Sequence, residues 1–421
     1  MRTLILSKPD GPLVPNLHSL DWSEISQGED AKKTFPYIRL FLGPSVKHLV
    51  LNLHEPSTTN LSVIHSLLRD HPGITHLDLE ETSSLGDDTV SDAVCQWNKL
   101  QSFIWQSHPH HAVLLHLANL SNLQDISIFL PALDSPSWKG HISSFRHLGF
   151  RGFRALRNAK FRCQNISSCA LFMDLVSSQC PIECMAIGIY QAPSTISLRN
   201  FFQTLNARCS QMTLTKLTII YLSHRWPRPP FADQHINIID EATFQPLLGF
   251  SNMRHIIIRI PCPFRLGNET LQDITRCWTQ LRTLTICGPD GWGGCSRITL
   301  AGLISLLSLS KLDALGIVVD ASSVNHTVDM PKTGVPNTKL STVHFGDSVI
   351  HDAPSVAAWL SDVLPNVKKI HSWGVSAAEM ASVSAADAMK YQSRWEEVAS
   401  LIEAAAKVRE QGRDSVGNVL L

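Results

Sequence analysis

The chain has no excess of either charge: 36 lysines and arginines stand against 36 aspartates and glutamates in 421 residues. That balance argues against nucleic-acid binding through a global basic field, though a local patch stays open. A long apolar run is also missing. The most apolar stretch, Leu300 to Leu312, is broken by Gly302, Ser305, Ser308 and Ser310 and is too short to span a bilayer. The opening segment, Met1 to Pro9, holds too short an apolar run for a secretory signal. These features predict a soluble chain, cytoplasmic or nuclear, with no membrane partner. Its 10 cysteines are too few for a disulfide framework at this length. Only Cys180 and Cys184 approach zinc-ligand spacing, and they lack a second pair.

Catalytic signatures are equally scarce. Gly288-Pro289-Asp290-Gly291-Trp292-Gly293-Gly294 is rich in glycine, but no Lys-Ser/Thr follows it, so it reads as a turn and not as a phosphate-binding loop. His108-Pro109-His110-His111 loses any helical ligand spacing at Pro109 and reads as a loop. There is no Gly-x-Ser-x-Gly elbow, and the carboxylates are scattered. The sequence therefore names no catalytic residue, metal ligand or cofactor, and predicts a protein that is not an enzyme.

What the chain does have is repetition. A triplet of apolar residues, spaced three and then two apart, recurs thirteen times, from Leu17/Leu20/Trp22 to Val367/Ile370/Ser372. Between these lie Val46/Leu49/Leu51, Leu100/Phe103/Trp105, Leu156/Ala159/Phe161, Leu214/Leu217/Ile219 and Leu340/Val343/Phe345, among others. The spacing averages about 29 residues, at the upper end of the leucine-rich-repeat range. Each interval has room for a strand, a loop, a helix and a return turn. The predicted fold is an α/β leucine-rich-repeat solenoid of about 12–13 irregular repeats, with a curved parallel sheet on the concave side and helices on the convex side. Helical faces recur between strands: Leu61/Ile64/Leu67/Leu68 with Asn60 as cap, Val90/Ala93/Val94/Trp97, Leu198/Phe201/Phe202/Leu205 and Val356/Trp359/Leu360/Val363. Phe145/Leu148/Phe150 competes with Leu156 for one repeat, and the following interval favours Leu156. Cys95, Cys180, Cys209 and Cys277 precede strands by two to five residues, a slot for a small buried side chain at a helix end.

Residues 1–375 form the expected solenoid and 376–421 a helical cap and tail, with Tyr391, Trp395, Val398, Ile402 and Ala405 on one face of the cap. Met1 falls almost inside the first repeat. Either an upstream domain is missing, or the segment to Pro15 caps the array alone.

The run Phe35-Pro36-Tyr37-Ile38-Arg39-Leu40-Phe41-Leu42-Gly43-Pro44, the acidic turns at Leu85–Val90 and Leu271–Cys277, and Arg394-Trp395-Glu396-Glu397-Val398 carry a resemblance. The chain resembles the F-box/leucine-rich-repeat proteins of mushroom-forming fungi, over nearly its whole length. The resemblance implies the substrate-recognition region of an F-box-type ubiquitin-ligase adaptor. The F-box itself is missing, so a cullin-ligase adaptor becomes a partner only if an F-box lies upstream. The asparagine of the standard repeat is missing too: its slot holds His54, Thr82, His108, Pro131, Gln164 and Tyr190 in successive repeats. The backbone groups it would serve need another partner.

Two features point to partner-binding residues. Long insertions after the strands carry Trp138, Trp226, Phe231, Phe264 and Trp292, which can anchor a protein partner or fold back over the strand edge. Between Lys139 and Arg162 there are seven basic residues and no acidic one, while Asp70 to Asp92 is the reverse. Arg151, Arg154, Arg157 and Lys160 recur every third residue, aligning on one face if that piece is helical and offering a site for an anionic segment. The leading expectation is a protein-interaction module. The alternatives are a GTPase-activating-type repeat protein, or a truncated or decayed paralogue with a scaffold role only.

Overall fold

In the computed structural model the described residues are 11–23, 35–52, 63, 66–67, 70–80, 87–107, 109–130, 152–222, 237–287, 291–293, 296–323, 336–374 and 383–417. The chain divides into two units, Met1–Ile187 with Ala207–Ser210, and Gly188–Asn206 with Gln211–Leu421.

In the first unit the strands are β1 (Ser19–Ser23), β2 (His48–Asn52), β3 (His76–Glu80), β4 (Ser102–Trp105), β5 (Asp125–Leu130) and β6 (Asn158–Cys163), and β7 (Cys184–Ile189) falls at the division. Neighbours in the chain are neighbours in the sheet, and every pairing from β1 to β6 is parallel. Alternation explains the strands: β5 and β6 bury every second residue, Ile126/Ile128/Leu130 and Ala159/Phe161/Cys163. Between the strands, helices α1 (Asp87–Val94), α2 (His111–Asn119) and α3 (Ile166–Met173) cover the buried side. Asn165 caps α3 through its side-chain oxygen, which accepts from the Ser168 N–H.

In the second unit, after α4 (Thr195–Arg208), the repeat strands are β8 (Lys216–Tyr221), β10 (His255–Arg259), β12 (Thr283–Thr285), β13 (Ala314–Gly316), β15 (Thr342–Gly346) and β17 (Lys369–Ser372). They are parallel and in chain order, as in the first unit. The segments that follow strands are not bare loops. Phe264–Arg265 (β11) pairs with Ile239–Asp240 (β9), and Val349–Ile350 (β16) pairs with Asp320–Ala321 (β14), giving two short parallel ladders. Helices α5 (Glu241–Phe244), α6 (Asn268–Cys277), α7 (Leu300–Leu307) and α8 (Ala353–Val363) return the chain. Together these elements form an α/β leucine-rich-repeat solenoid.

Every triplet from Val46/Leu49/Leu51 through Leu340/Val343/Phe345 is buried, whereas Leu17, Leu20 and Trp22 at one end and Ile370 and Ser372 at the other are half-buried. The helical faces predicted from Val90 to Trp97, Leu198 to Leu205 and Val356 to Val363 are buried too. Asn60, Leu61, Ile64, Leu68 and the competing Phe145–Phe150 lie outside the described residues; Val63 and Leu67 nearby are buried. The long helix α9 (Ala385–Gly417) packs on α8, burying Ala388, Trp395, Val398 and Ile402, while Tyr391 and Ala405 are half-buried. Arg394 donates to the Ile350 carbonyl, and Arg409 to those of Ser361 and Pro365. Among the described residues no helix is long and apolar enough to cross a membrane.

At the start of most repeat strands, two consecutive N–H groups donate to one carbonyl of the preceding repeat. Thr75 and His76 donate to Lys47, Gln101 and Ser102 to Thr75, and Gln124 and Asp125 to Gln101. In the second unit Arg282 and Thr283 donate to Arg254, and Asp313 and Ala314 to Arg282. Side chains help at two pre-strand positions. Cys180 Sγ reaches the carbonyls of Phe153 and Leu156, and Asn337 Nδ2 those of Leu309 and Leu312. The cysteine slot is thus occupied as predicted at Cys180 and Cys209, which are buried and bridge in parallel, while Cys95 and Cys277 are half-buried.

Candidate protein-binding face

The repeat leaves one row of side chains pointing away from the core on every strand, and this row decides the surface chemistry. In the first unit it carries Asp21, Asp78 and Asp125 on β1, β3 and β5, then Lys160 and Arg162 on β6. His48 and His76 occupy matching positions on β2 and β3, and their rings stack with centroids 3.9 Å apart. Burial holds the His76 imidazole below its ordinary pKa; His48 adds to that and Asp125 opposes it.

The period-three reading of the basic stretch is corrected here. Residues 158–163 form strand β6, so Lys160 and Arg162 share its outward face with Asn158, and Arg154 and Arg157 lie in the turn before it. The buried triplet Leu156/Ala159/Phe161 imposes a strand on the same residues, and the strand period of two separates what a helix would align. Arg157 forms an ion pair with Glu183. Arg154, Lys160 and Arg162 are exposed and form no ion pair among the described residues. Arg151 lies outside the described residues.

Two of the loop aromatics are core residues. Phe264 and Trp292 are each only 3% exposed, with ring centroids 5.2 Å apart, and Phe264 also meets Phe244. Trp292 Nε1 donates to the Ile286 carbonyl at 2.7 Å. Both therefore fold back over the strand edge, where their apolar area stabilises the array, and neither is free to anchor a partner. Trp138, Trp226 and Phe231 lie outside the described residues. Of the glycine-rich stretch, residues 291–293 wrap a buried side chain: Asp347, 4% exposed, accepts from the N–H groups of Trp292 and Gly293 at 2.8 Å each. Gly291 and Gly293 have φ of 79° and 69°, which aims successive N–H groups at that carboxylate.

The second unit presents a surface that was not read from the sequence. Its outward strand positions hold Lys216 on β8, His255 and Arg259 on β10, His344 on β15, and Lys369 and His371 on β17. The other outward positions are Thr218, Ile220, Ile257, Thr283, Thr285, Ala314, Gly316 and Thr342, so no carboxylate stands on these strands. Lys216, Arg259 and Lys369 are exposed and make no ion pair among the described residues. The cationic field is felt locally. Burial lowers the His255 pKa, with Lys216 adding to the effect and Asp313, just before β13, opposing it, and burial lowers that of His344, with His371 and Arg259 adding. The signal for this face is present in the sequence but dispersed, one or two residues per repeat at the slots between buried positions. Among the described residues no three His, Cys, Asp or Glu side chains converge as metal ligands.

No protein-family model matches the chain, and no curated protein matches it. Among solved structures, the crystal structure of the Rad7 and Elc1 complex in yeast is similar at 16% identity and a TM-score of 0.37, covering 80% of this chain and 78% of that one.

Proposed function

We propose that this protein is a protein-interaction module, not an enzyme, and that the outward sheet face of its second unit receives an anionic segment of a protein partner. The observation that carries the reading is the set of six cationic or imidazole side chains on the strands of that face, none of which bears a carboxylate, with Asp313 just before β13 as the acid that acts on His255. The parallel sheet fixes the spacing of the backbone positions that carry these side chains, which favours recognition by complementarity of charge. Consistent with the resemblance drawn from its motifs, the finer reading is the substrate-recognition part of an F-box-type ubiquitin-ligase adaptor, working in the cytoplasm or nucleus.

A fluorescent polyglutamate peptide tests the binding reading. The affinity falls as ionic strength rises from 50 mM to 0.5 M, roughly following the screening of exposed charge, and the K216E/R259E variant binds at least about tenfold more weakly. Salt-independent binding, equal binding of polylysine, or preference for single-stranded DNA overturns it. Co-purification from cells tests the finer reading: recovery of a cullin-ligase adaptor supports it, and recovery of partners without any such adaptor removes it while leaving the binding module.

A further inference from the structure

A cavity of about 350 Å³ opens in the second unit between the ends of β15 and β17 and the helix α9. One wall is sheet: His344 and His371 are register partners on adjacent strands, stacked with ring centroids 4.6 Å apart, and Ser372 follows. The other wall is helix, with Trp395, Glu396 and Ala399. Its size falls within the range of small-ligand sites. Gly346, Gly374 and Ala399 also line it.

The walls differ in chemistry. Neither imidazole makes a side-chain hydrogen bond among the described residues, and neither does the Ser372 hydroxyl, so three potential donors face the cavity unused. Lys369 stands on the same strand as His371, and Arg259 contributes to the field at His344. Opposite, Gln392 Nε2 donates to Glu396 Oε1 at 3.1 Å, which holds that carboxylate along the helix. The floor is rigid. Trp395 stacks on Phe345 at 4.9 Å and its indole N–H is fixed on the Ser348 carbonyl. Trp373, between Ser372 and Gly374, adopts φ 47°, a conformation unfavourable for an aromatic residue. It is held there by its main-chain N–H on Gly346 and its indole on Ser348. A strained residue held at a cavity rim is a mark of a shaped site.

We propose that this cavity receives one acidic side chain of a peptide partner. The carboxylate lies against His344, His371 and Ser372, and Glu396 accepts the N–H of the same residue. The inference rests on the anionic-segment reading and locates its anchor. A ligand with a carboxylate and a neighbouring amide N–H engages both walls, whereas a simple anion engages the sheet wall alone.

Two probes separate this proposal from the broader reading. N-acetylglutamate amide is titrated into the ¹⁵N-labelled protein while the imidazole nitrogens are followed. The His344 and His371 signals shift and saturate, and N-acetyllysine amide leaves them unmoved. With the polyglutamate peptide, H371A lowers affinity about tenfold, as expected for one lost charge-assisted hydrogen bond. H371A changes an exposed side chain and leaves the fold intact, which the unchanged dispersion of the spectrum verifies. If the peptide binds and K216E/R259E weakens it while H371A does not, the cavity is not the anchor and the face reading stands. If the small probe shifts the imidazoles but the peptide does not bind, the cavity site stands alone. If neither probe moves the imidazoles, the proposal is overturned.

Discussion

The indole N–H of Trp395 donates to the main-chain carbonyl of Ser348 at 2.9 Å, across 47 residues of chain. Trp373 donates to the same carbonyl at 2.7 Å, so one oxygen gathers two buried indoles beneath the terminal helix. The consequences of the two ways of altering Trp395 differ. Trp395→Ala leaves a large void under α9 and destabilises by about 3–5 kcal/mol. Trp395→Phe keeps most of the packing, leaves Ser348 with Trp373 as its donor, and costs only about 1 kcal/mol. Denaturant midpoints measure both. Equal losses for the two variants would show that hydrogen bonding, not packing, holds the helix down.

The turn around Asp347 gives a second prediction. Asp347→Ala leaves the N–H groups of Trp292 and Gly293 without their acceptor and destabilises by about 2–4 kcal/mol. Gly291→Ala is damaging for a separate reason. The added Cβ would lie 2.0 Å from Asp347 Oδ1, at a φ of 79° that side chains rarely adopt. A midpoint for Gly291→Ala within error of the wild type would remove the turn as described.

pH acts in opposite senses on stability and on binding. Burial lowers the pKa of His344 from 6.5, as it does for His255, His76 and His71. The groups facing His344 are His371 on β17, Arg259 on β10 and Glu396 on α9. The folded state therefore resists protonation, and the unfolded chain binds more protons below pH 6.5. The contribution to stability is full above that value and is lost as pH falls through the lowered folded values. An acidic ligand favours the imidazolium instead. The thermal midpoint of the free protein declines between pH 7 and pH 5.5, while affinity for polyglutamate rises, since glutamates with a pKa of about 4.3 stay ionised there. Affinity that falls in step with stability would contradict the assigned role of the histidines.

The buried thiols should be inert. Burial pushes Cys180 and Cys262 up to about 12 and raises Cys209, Cys287 and Cys169 as well. At pH 8 these thiols carry almost no thiolate and are shielded from reagent. Intact-mass alkylation followed by peptide mapping finds them unmodified until denaturant is added. Labelling of Cys180 in the native protein would mean that the turn before β7 opens readily.

The scaffold was largely legible in the sequence and the surface was not, for a physical reason. Leu100/Phe103/Trp105 or Leu281/Leu284/Ile286 announce a strand because burial demands apolar residues at fixed spacing. The same demand fixes Leu198, Phe201, Phe202 and Leu205 on one helical face. Phe264 and Trp292 looked like anchors because they lie in insertions, yet those insertions add their own core. Arg154, Arg157 and Lys160 looked aligned because spacing of three was read without the strand imposed by Phe161. Lys216, Arg259 and His371 are far apart in the chain, and only the sheet makes them one surface.

The shared carbonyl at the strand starts has a consequence for how such an array changes over time. Thr75, Gln101, Gln124, Arg254 and Arg282 serve as acceptors through main-chain atoms alone, whatever their side chains. Alignment of one repeat on the next is thus indifferent to the side chain at those positions, proline excepted because the same residues also donate their N–H. The segments between strands can lengthen, shorten or exchange chemistry without moving the strands out of step. Such an array can acquire new specificities at its surface while its frame is inherited unchanged.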